Sequence, residues 1–183
     1  MIKVSLKGTP MPSKTLVGTL NKQIQMEFMA FYKYLGMAAW CERQDLPGIS
    51  SWLEMQAEEE HVHGMKIYHW MNDWDLDVQF EPLSAPSIEF SNLIDVFENA
   101  LKSEQGVSAH IHKVCKMAED EQSMAIRTAF DWFIQEQVLE EKSARENLAF
   151  AKRIASDPAG LFHLDQQMGR RSGGDGGPEE AAG

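Results

Sequence analysis

Four stripes of helical period, each broken near its middle by polar residues, restrict this chain to a helical bundle with a polar layer inside it. The first stripe is Leu16, Leu20, Ile24, Glu27, Phe31, Tyr34 and Ala38. The second runs Ile49, Leu53, Gln56, Glu60, His63, Ile67, Trp70 and Trp74. The third is Leu93, Phe97, Leu101, Glu104, Ser108, Ile111 and Cys115, and the fourth Ile126, Phe130, Phe133, Gln137, Glu140, Ala144, Leu148 and Ala151. Steps of three and four residues put each set on one helix face, and no strand alternation competes with them.

Local signals bound these helices. Ser13 is the expected N-cap of the first. Asp45-Leu46-Pro47-Gly48 is too short for anything but a tight reversal between antiparallel helices. Asp75 to Pro86 has no helical period and carries Pro82 and Pro86, so it reads as a long crossover that could run the bundle's length and make the second and third helices parallel. The third helix is expected to start near Ser91, and Glu119-Asp120-Glu121 marks the next turn. Asp157-Pro158 pairs a cap with a proline at the first helical position, predicting a short fifth helix to about Met168. The expected organisation is a lead-in over 1–12, one bundle domain over 13–168 and a flexible Gly-rich tail over 169–183. The fold class is all-α: a four-helix bundle with a long crossover between helices 2 and 3 and a short C-terminal helix.

The interruptions follow one plan. Glu27 and Glu60 are 33 residues apart, and so are Glu104 and Gln137. Each helix pair carries a lone glutamate, then two polar residues at i, i+3: Glu60 with His63, and Gln137 with Glu140. Antiparallel folding brings them to one level. Buried unpaired carboxylates are costly, and several at one level repel one another. A pair of divalent or trivalent cations relieves both problems, and carboxylate, imidazole and carboxamide donors suit iron. Taken singly, Glu27 could be a rotated surface residue, and a lone Glu-x-x-His a solvated pair. The repeat is what argues for a dinuclear centre. Tyr34, seven residues after Glu27, lies about 10 Å along the same face and is either a redox or hydrogen-bonding neighbour or plain core. His61 lies off the stripe and reads as a surface residue, and His69, His110, His112 and His163 show no ligand spacing.

Composition excludes some functions. A net charge of −11 disfavours nucleic acid as a partner. Cys41 and Cys115 make neither a disulfide framework nor a zinc or iron–sulfur set, and they fit a reducing, cytoplasmic setting. Neither a signal peptide nor a membrane span is expected.

The stretch Leu20 to Glu27 with Tyr34, then Glu59-Glu60-His61-Val62-His63, Leu101 to Gln105 and Glu136-Gln137 resembles the ferritin family, over about Leu16 to Met168. That resemblance implies a non-haem, prokaryotic-type ferritin with a diiron centre. Glu27, Glu60 and His63 would hold one iron. Glu60 would bridge to a second, held also by Glu104 and assisted by Gln137 or Glu140. Tyr34 would supply an electron. The implied activity is a ferroxidase that oxidises Fe(II) with dioxygen or peroxide and stores Fe(III) mineral in a cytoplasmic shell of twenty-four subunits, the short final helix lining its fourfold axes. The departures matter. A second Glu-x-x-His is replaced by Gln137-Val138-Leu139-Glu140, and His61 stands where bacterioferritins have the haem-ligating methionine, so no haem is expected. A third iron site would use Glu59, Glu136 and Glu140, weakened by Leu139 in place of a carboxylate. Arg127 and Phe130 stand where animal ferritins place the acids of their iron channels. Two other readings share these residues: a diiron oxidase or oxygenase acting on an organic substrate in a small assembly, and a metal-free bundle whose polar layer supplies structural specificity.

Overall fold

A computed structural model describes residues 11–170. Most of the expected lead-in (1–10) and most of the Gly-rich tail (171–183) lie outside them. Helix α1, Lys14–Arg43, starts where Ser13 accepts the Leu16 N–H at 3.1 Å. The same serine's N–H donates to Glu121 at 2.8 Å, tying the start of α1 to a turn 108 residues further on. Asp45, with φ of 57°, closes the reversal into α2, Pro47–Asp73. Pro47 suits the first turn, where its missing N–H costs nothing. No side chain near Leu46 caps α2; Asp165 on the last helix accepts the Ile49 N–H at 2.9 Å instead.

The crossover lies along α1. The Asn21 side chain donates to Asp77 O and accepts from Gln79 N, both at 2.8 Å. Gln25 donates to Pro82 O at 2.8 Å, and Arg43 at the far end of α1 donates to Ile88 O. The step from Asn21 to Arg43 spans about 33 Å of helix, so the chain crosses the bundle before starting α3, Leu93–Asp120. Helices α2 and α3 therefore run parallel, as the length of the connection suggested. The crossover leaves no room beside Gly36, where a Cβ would come within 2.4 Å of Ser87 O.

Helix α3, Leu93–Asp120, is capped by Asn92, which accepts the Asp95 N–H at 3.1 Å. Its start lies two residues beyond the expected Ser91, because the asparagine amide supplies the cap. Gln122, with φ of 57°, turns the chain. The fourth stripe is divided into α4, Met124–Ala129, and α5, Asp131–Ile154. Phe130, at φ −86° and ψ −4°, sits between them with its ring in the core beside Phe133 and Trp70. Helix α6, Pro158–Met168, begins at Asp157, which accepts the Ala159 N–H at 3.1 Å. The described residues contain no strand, and no helix among them is long and apolar enough to cross a membrane.

Helices α1 and α2 form one hairpin and α3 with α4 and α5 the other, while α6 docks on α2 and α5. Their apolar faces bury two separate cores. One, around Met37, Leu53, Phe97 and Leu164, fills the end where α1 meets α2. The other, around Leu20, Ile67, Ile111 and Phe130, fills the opposite end. The polar interruptions of the four stripes lie buried between them.

Candidate metal centre

Glu27 from α1 and Glu60 and His63 from α2 converge, each offering one ligand atom within 4.8 Å of the others. Among the described residues no other trio of histidine, cysteine or carboxylate side chains comes together this way. Glu27 and Glu60 are 0% and 1% exposed, and Glu27 Oε2 and both oxygens of Glu60 have no hydrogen-bond partner. His63 Nδ1 is 3.8 Å from Glu60 Oε2, beyond hydrogen-bond range. The imidazole is held edge-on by the rings of Trp132 and Phe133, at centroid distances of 5.3 and 6.2 Å.

Leaving three buried carboxylate oxygens without donors is unfavourable for a protein that lacks a cation there. The electrostatics agree. Burial, then the charge of Glu60, pushes Glu27 well above the usual carboxylate range. Burial, then Glu104 and Glu140, does the same to Glu60. A cation reverses each effect by favouring the ionised carboxylates.

The other expected residues lie around this trio. Glu104 from α3 has both oxygens occupied: Tyr34 Oη donates to Oε1 at 2.6 Å and Gln137 Nε2 to Oε2 at 2.9 Å. Burial raises Glu104, and these two donors oppose it. Tyr34 is thus a hydrogen-bonding neighbour of the layer, with its own hydroxyl pushed well up by burial and by Glu104. Glu140 is pushed up to about 8 by burial, Glu104 and Glu59. Glu136 is buried and raised by burial, whereas Glu59 is half-buried. The Gln56 amide links the expected third-site residues, donating to Glu59 and, at 3.5 Å, to Glu140. Glu59, Glu136 and Glu140 do not converge as the first trio does, and Leu139 is exposed.

Two residues carry more of the site than their sequence context suggests. Gln23 is fully buried and donates from Nε2 to Glu27 Oε1 at 2.7 Å. His110, which shows no ligand spacing, lies 2.6 Å from Gln23 Oε1 through its Nδ1. A signal for Gln23 was present. Gln23 precedes Glu27 by four residues, Gln56 precedes Glu60 by four, and the two glutamines are themselves 33 apart. The internal repeat therefore includes the amides beside the carboxylates. His61, in contrast, is a partly exposed ring packed beside Phe28 and Phe31.

Comparison with known proteins gives a consistent picture. The model of the ferritin-like domain matches residues 17–154. The bacterial non-heme ferritin of Staphylococcus aureus is 33% identical over 162 residues, covering 88% of this chain and 98% of that protein. Its Staphylococcus epidermidis counterpart is 32% identical with the same coverage. A solved structure of an open pore ferritin from Archaeoglobus fulgidus superposes with a TM-score of 0.86 at 31% identity, covering 87% of this chain and 98% of that one. An engineered closed form of the same archaeal ferritin gives the same score, covering 88% and 99%.

Proposed function

The chain belongs to the ferritin family, and from that premise we propose that it is an iron-storage protein that oxidises Fe(II) within its own bundle. The observation that carries this reading is the set of unpartnered oxygens on Glu27 and Glu60 beside His63. Their donor types suit iron as substrate. Glu27, Glu60 and His63 would bind the first Fe(II). Glu60, Glu104 and Glu140, with Gln137 beside them, would bind the second. Glu60 has two free oxygens, one for each iron. A dioxygen or peroxide oxidant takes two electrons, one from each Fe(II), and hard anionic carboxylates remain good ligands for the Fe(III) product. Protons held by the raised carboxyls leave as iron binds. Tyr34 holds Glu104 in place through its hydroxyl and is near enough to supply an electron to the site. Glu59 and Glu136, with Glu140, would form the weaker third site, with Gln56 tying two of its carboxylates together.

The storing form is a homo-oligomeric shell, for which we propose twenty-four copies of the domain spanning 13–168. Phe80, Val138, Met124 and Phe162 are each more than 60% exposed, and subunit contacts in such a shell would give these apolar side chains something to pack against. One experiment tests the whole reading. Fe(II) is added anaerobically to particles of known mass, and absorbance is followed after air is admitted. Rapid oxidation that is lost in Glu60→Ala supports it. Unimpaired oxidation in that variant rejects the ligand assignment. A monomer or dimer carrying the same site would turn the reading toward an oxidase acting on an organic substrate.

A further inference from the structure

The first trio is tied to a histidine outside the polar layer. Gln23 lies one helical turn before Glu27 and has no exposed surface. Its Nε2 donates to Glu27 Oε1 at 2.7 Å, and its Oε1 is 2.6 Å from His110 Nδ1 on α3. Directions along this chain are constrained. Once a cation is bound and Glu27 is ionised, an amide oxygen turned toward it would set acceptor against acceptor, so the NH2 group must face the carboxylate, as it does here. The amide oxygen then faces His110, and because an oxygen accepts, Nδ1 carries the proton. The ring is neutral, since partial burial with Lys113 and Lys22 nearby holds it down to about 4. With Oε1 of Glu27 engaged, Oε2 is left as the oxygen without a partner.

We propose that His110 is a positioning residue for the first metal site, locking the Gln23 amide so that it holds the Glu27 carboxylate with Oε2 free for a cation. This rests on the metal-site reading above. The physical reason is torsional. The terminal torsions of glutamate and glutamine are broad and roughly two-fold, so packing alone does not set them. Without His110 both faces of the Gln23 amide are available, and the face presenting oxygen turns the Glu27 carboxylate away from its binding orientation. A fixed partner beyond the ligand is the usual means of removing that freedom.

The test uses the assembled protein and anaerobic Co(II), whose visible ligand-field spectrum reports binding without turnover. His110→Phe removes the donor and keeps a ring; it is expected to weaken the first Co(II) by about tenfold or more. His110→Asn places an amide N–H near the position of Nδ1 and is expected to restore most of the affinity. In a Gln23→Met background, His110→Phe is expected to cost no further affinity, because the link it acts through is already gone. Unchanged Co(II) binding in His110→Phe overturns the proposal. So does a His110→Asn variant as weak as His110→Phe, or an equal loss in the Gln23→Met background. His110→Leu, which is smaller, replaces the phenylalanine variant if that one does not assemble, with the same outcomes. Wild-type protein that binds no Co(II) rejects the underlying metal-site reading; tight wild-type binding with an unaffected His110→Phe rejects this inference alone.

Discussion

Substituting Asp165 should loosen α6 selectively. Its carboxylate is 5% exposed and accepts the Ile49 N–H at 2.9 Å, at the start of a helix that has no cap of its own. Asp165→Ala removes the cap, worth about 0.5–2 kcal/mol, and leaves a buried N–H without a partner, which costs about 1–3 kcal/mol. These overlap, and a combined loss of about 2 kcal/mol is expected. An eleven-residue helix is marginal alone, so docking is what keeps α6 folded. The remaining anchors are Leu164 and Met168, both buried. Hydrogen exchange on assembled protein reads the effect locally. A loss of about 2 kcal/mol lowers protection of the α6 amides by about thirtyfold, with the centres of α1 and α3 unchanged. Asp165→Asn keeps an acceptor and loses the charge that favours a helix N-terminus, so it should recover about half of the loss. The reasoning fails if α6 protection in Asp165→Ala stays within about threefold of wild type, or if Asp165→Asn is no better than alanine.

Other consequences follow from the polar layer. Glu60→Gln should abolish rapid Fe(II) oxidation yet raise the melting temperature of the metal-free protein, because a neutral amide replaces a buried ionisable group; both are read on one preparation by stopped-flow absorbance and calorimetry. Glu140, raised from 4.5 to about 8, contributes stability that is fully present below 4.5 and lost as pH rises through 8. Metal-free protein should therefore be less stable at about pH 9 than at about pH 5, and Glu140→Gln should flatten that slope in denaturant titrations. Cation binding runs the other way: protons must leave, so Co(II) affinity should rise with pH, measurable by titration in buffers of differing ionisation heat. Tyr34→Phe removes the 2.6 Å bond to Glu104 and should slow later oxidation turnovers more than the first, whereas identical progress curves would leave Tyr34 a packing residue.

The helices were legible because their signals are local. Ser13 and Asp157 cap the helices they precede, the Asp45 to Gly48 reversal divides α1 from α2 although Pro47 and Gly48 already belong to α2, and the four stripes name the buried faces. Convergence of Glu27, Glu60 and His63 was legible because helical spacing and a fixed loop place them at one depth. What escaped is what depends on contacts between elements. Asp165 caps α2 from 116 residues away, and nothing around Ile49 announces it. His110 finds Gln23 87 residues distant, and a histidine without ligand spacing carries no sign of that. The division at Phe130 has no proline or glycine to mark it; the periodicity continues through the break.

Folding and binding make opposite demands on the middle of this bundle. Two apolar cores at opposite ends supply the driving force, and each could in principle extend into the other. A layer of carboxylates between them instead keeps three oxygens without donors. The surrounding amides show how the conflict is limited. Gln23 satisfies one oxygen of Glu27, Gln137 one of Glu104, and Gln56 one of Glu140, while Tyr34 takes the other oxygen of Glu104. Each donor fixes a carboxylate from outside the trio and leaves Glu60 alone. Glu60 therefore bears the least compensated desolvation in the layer, and it is the residue whose two open oxygens a pair of cations would use. If the donors were extended to Glu60, the metal-free bundle would gain stability and lose the open carboxylate oxygens that give cations a reason to bind. The arrangement is thus one in which stability is withheld most at Glu60 and less at Glu27, and the test of that view is whether Glu60→Gln stabilises the metal-free protein more than Glu27→Gln does.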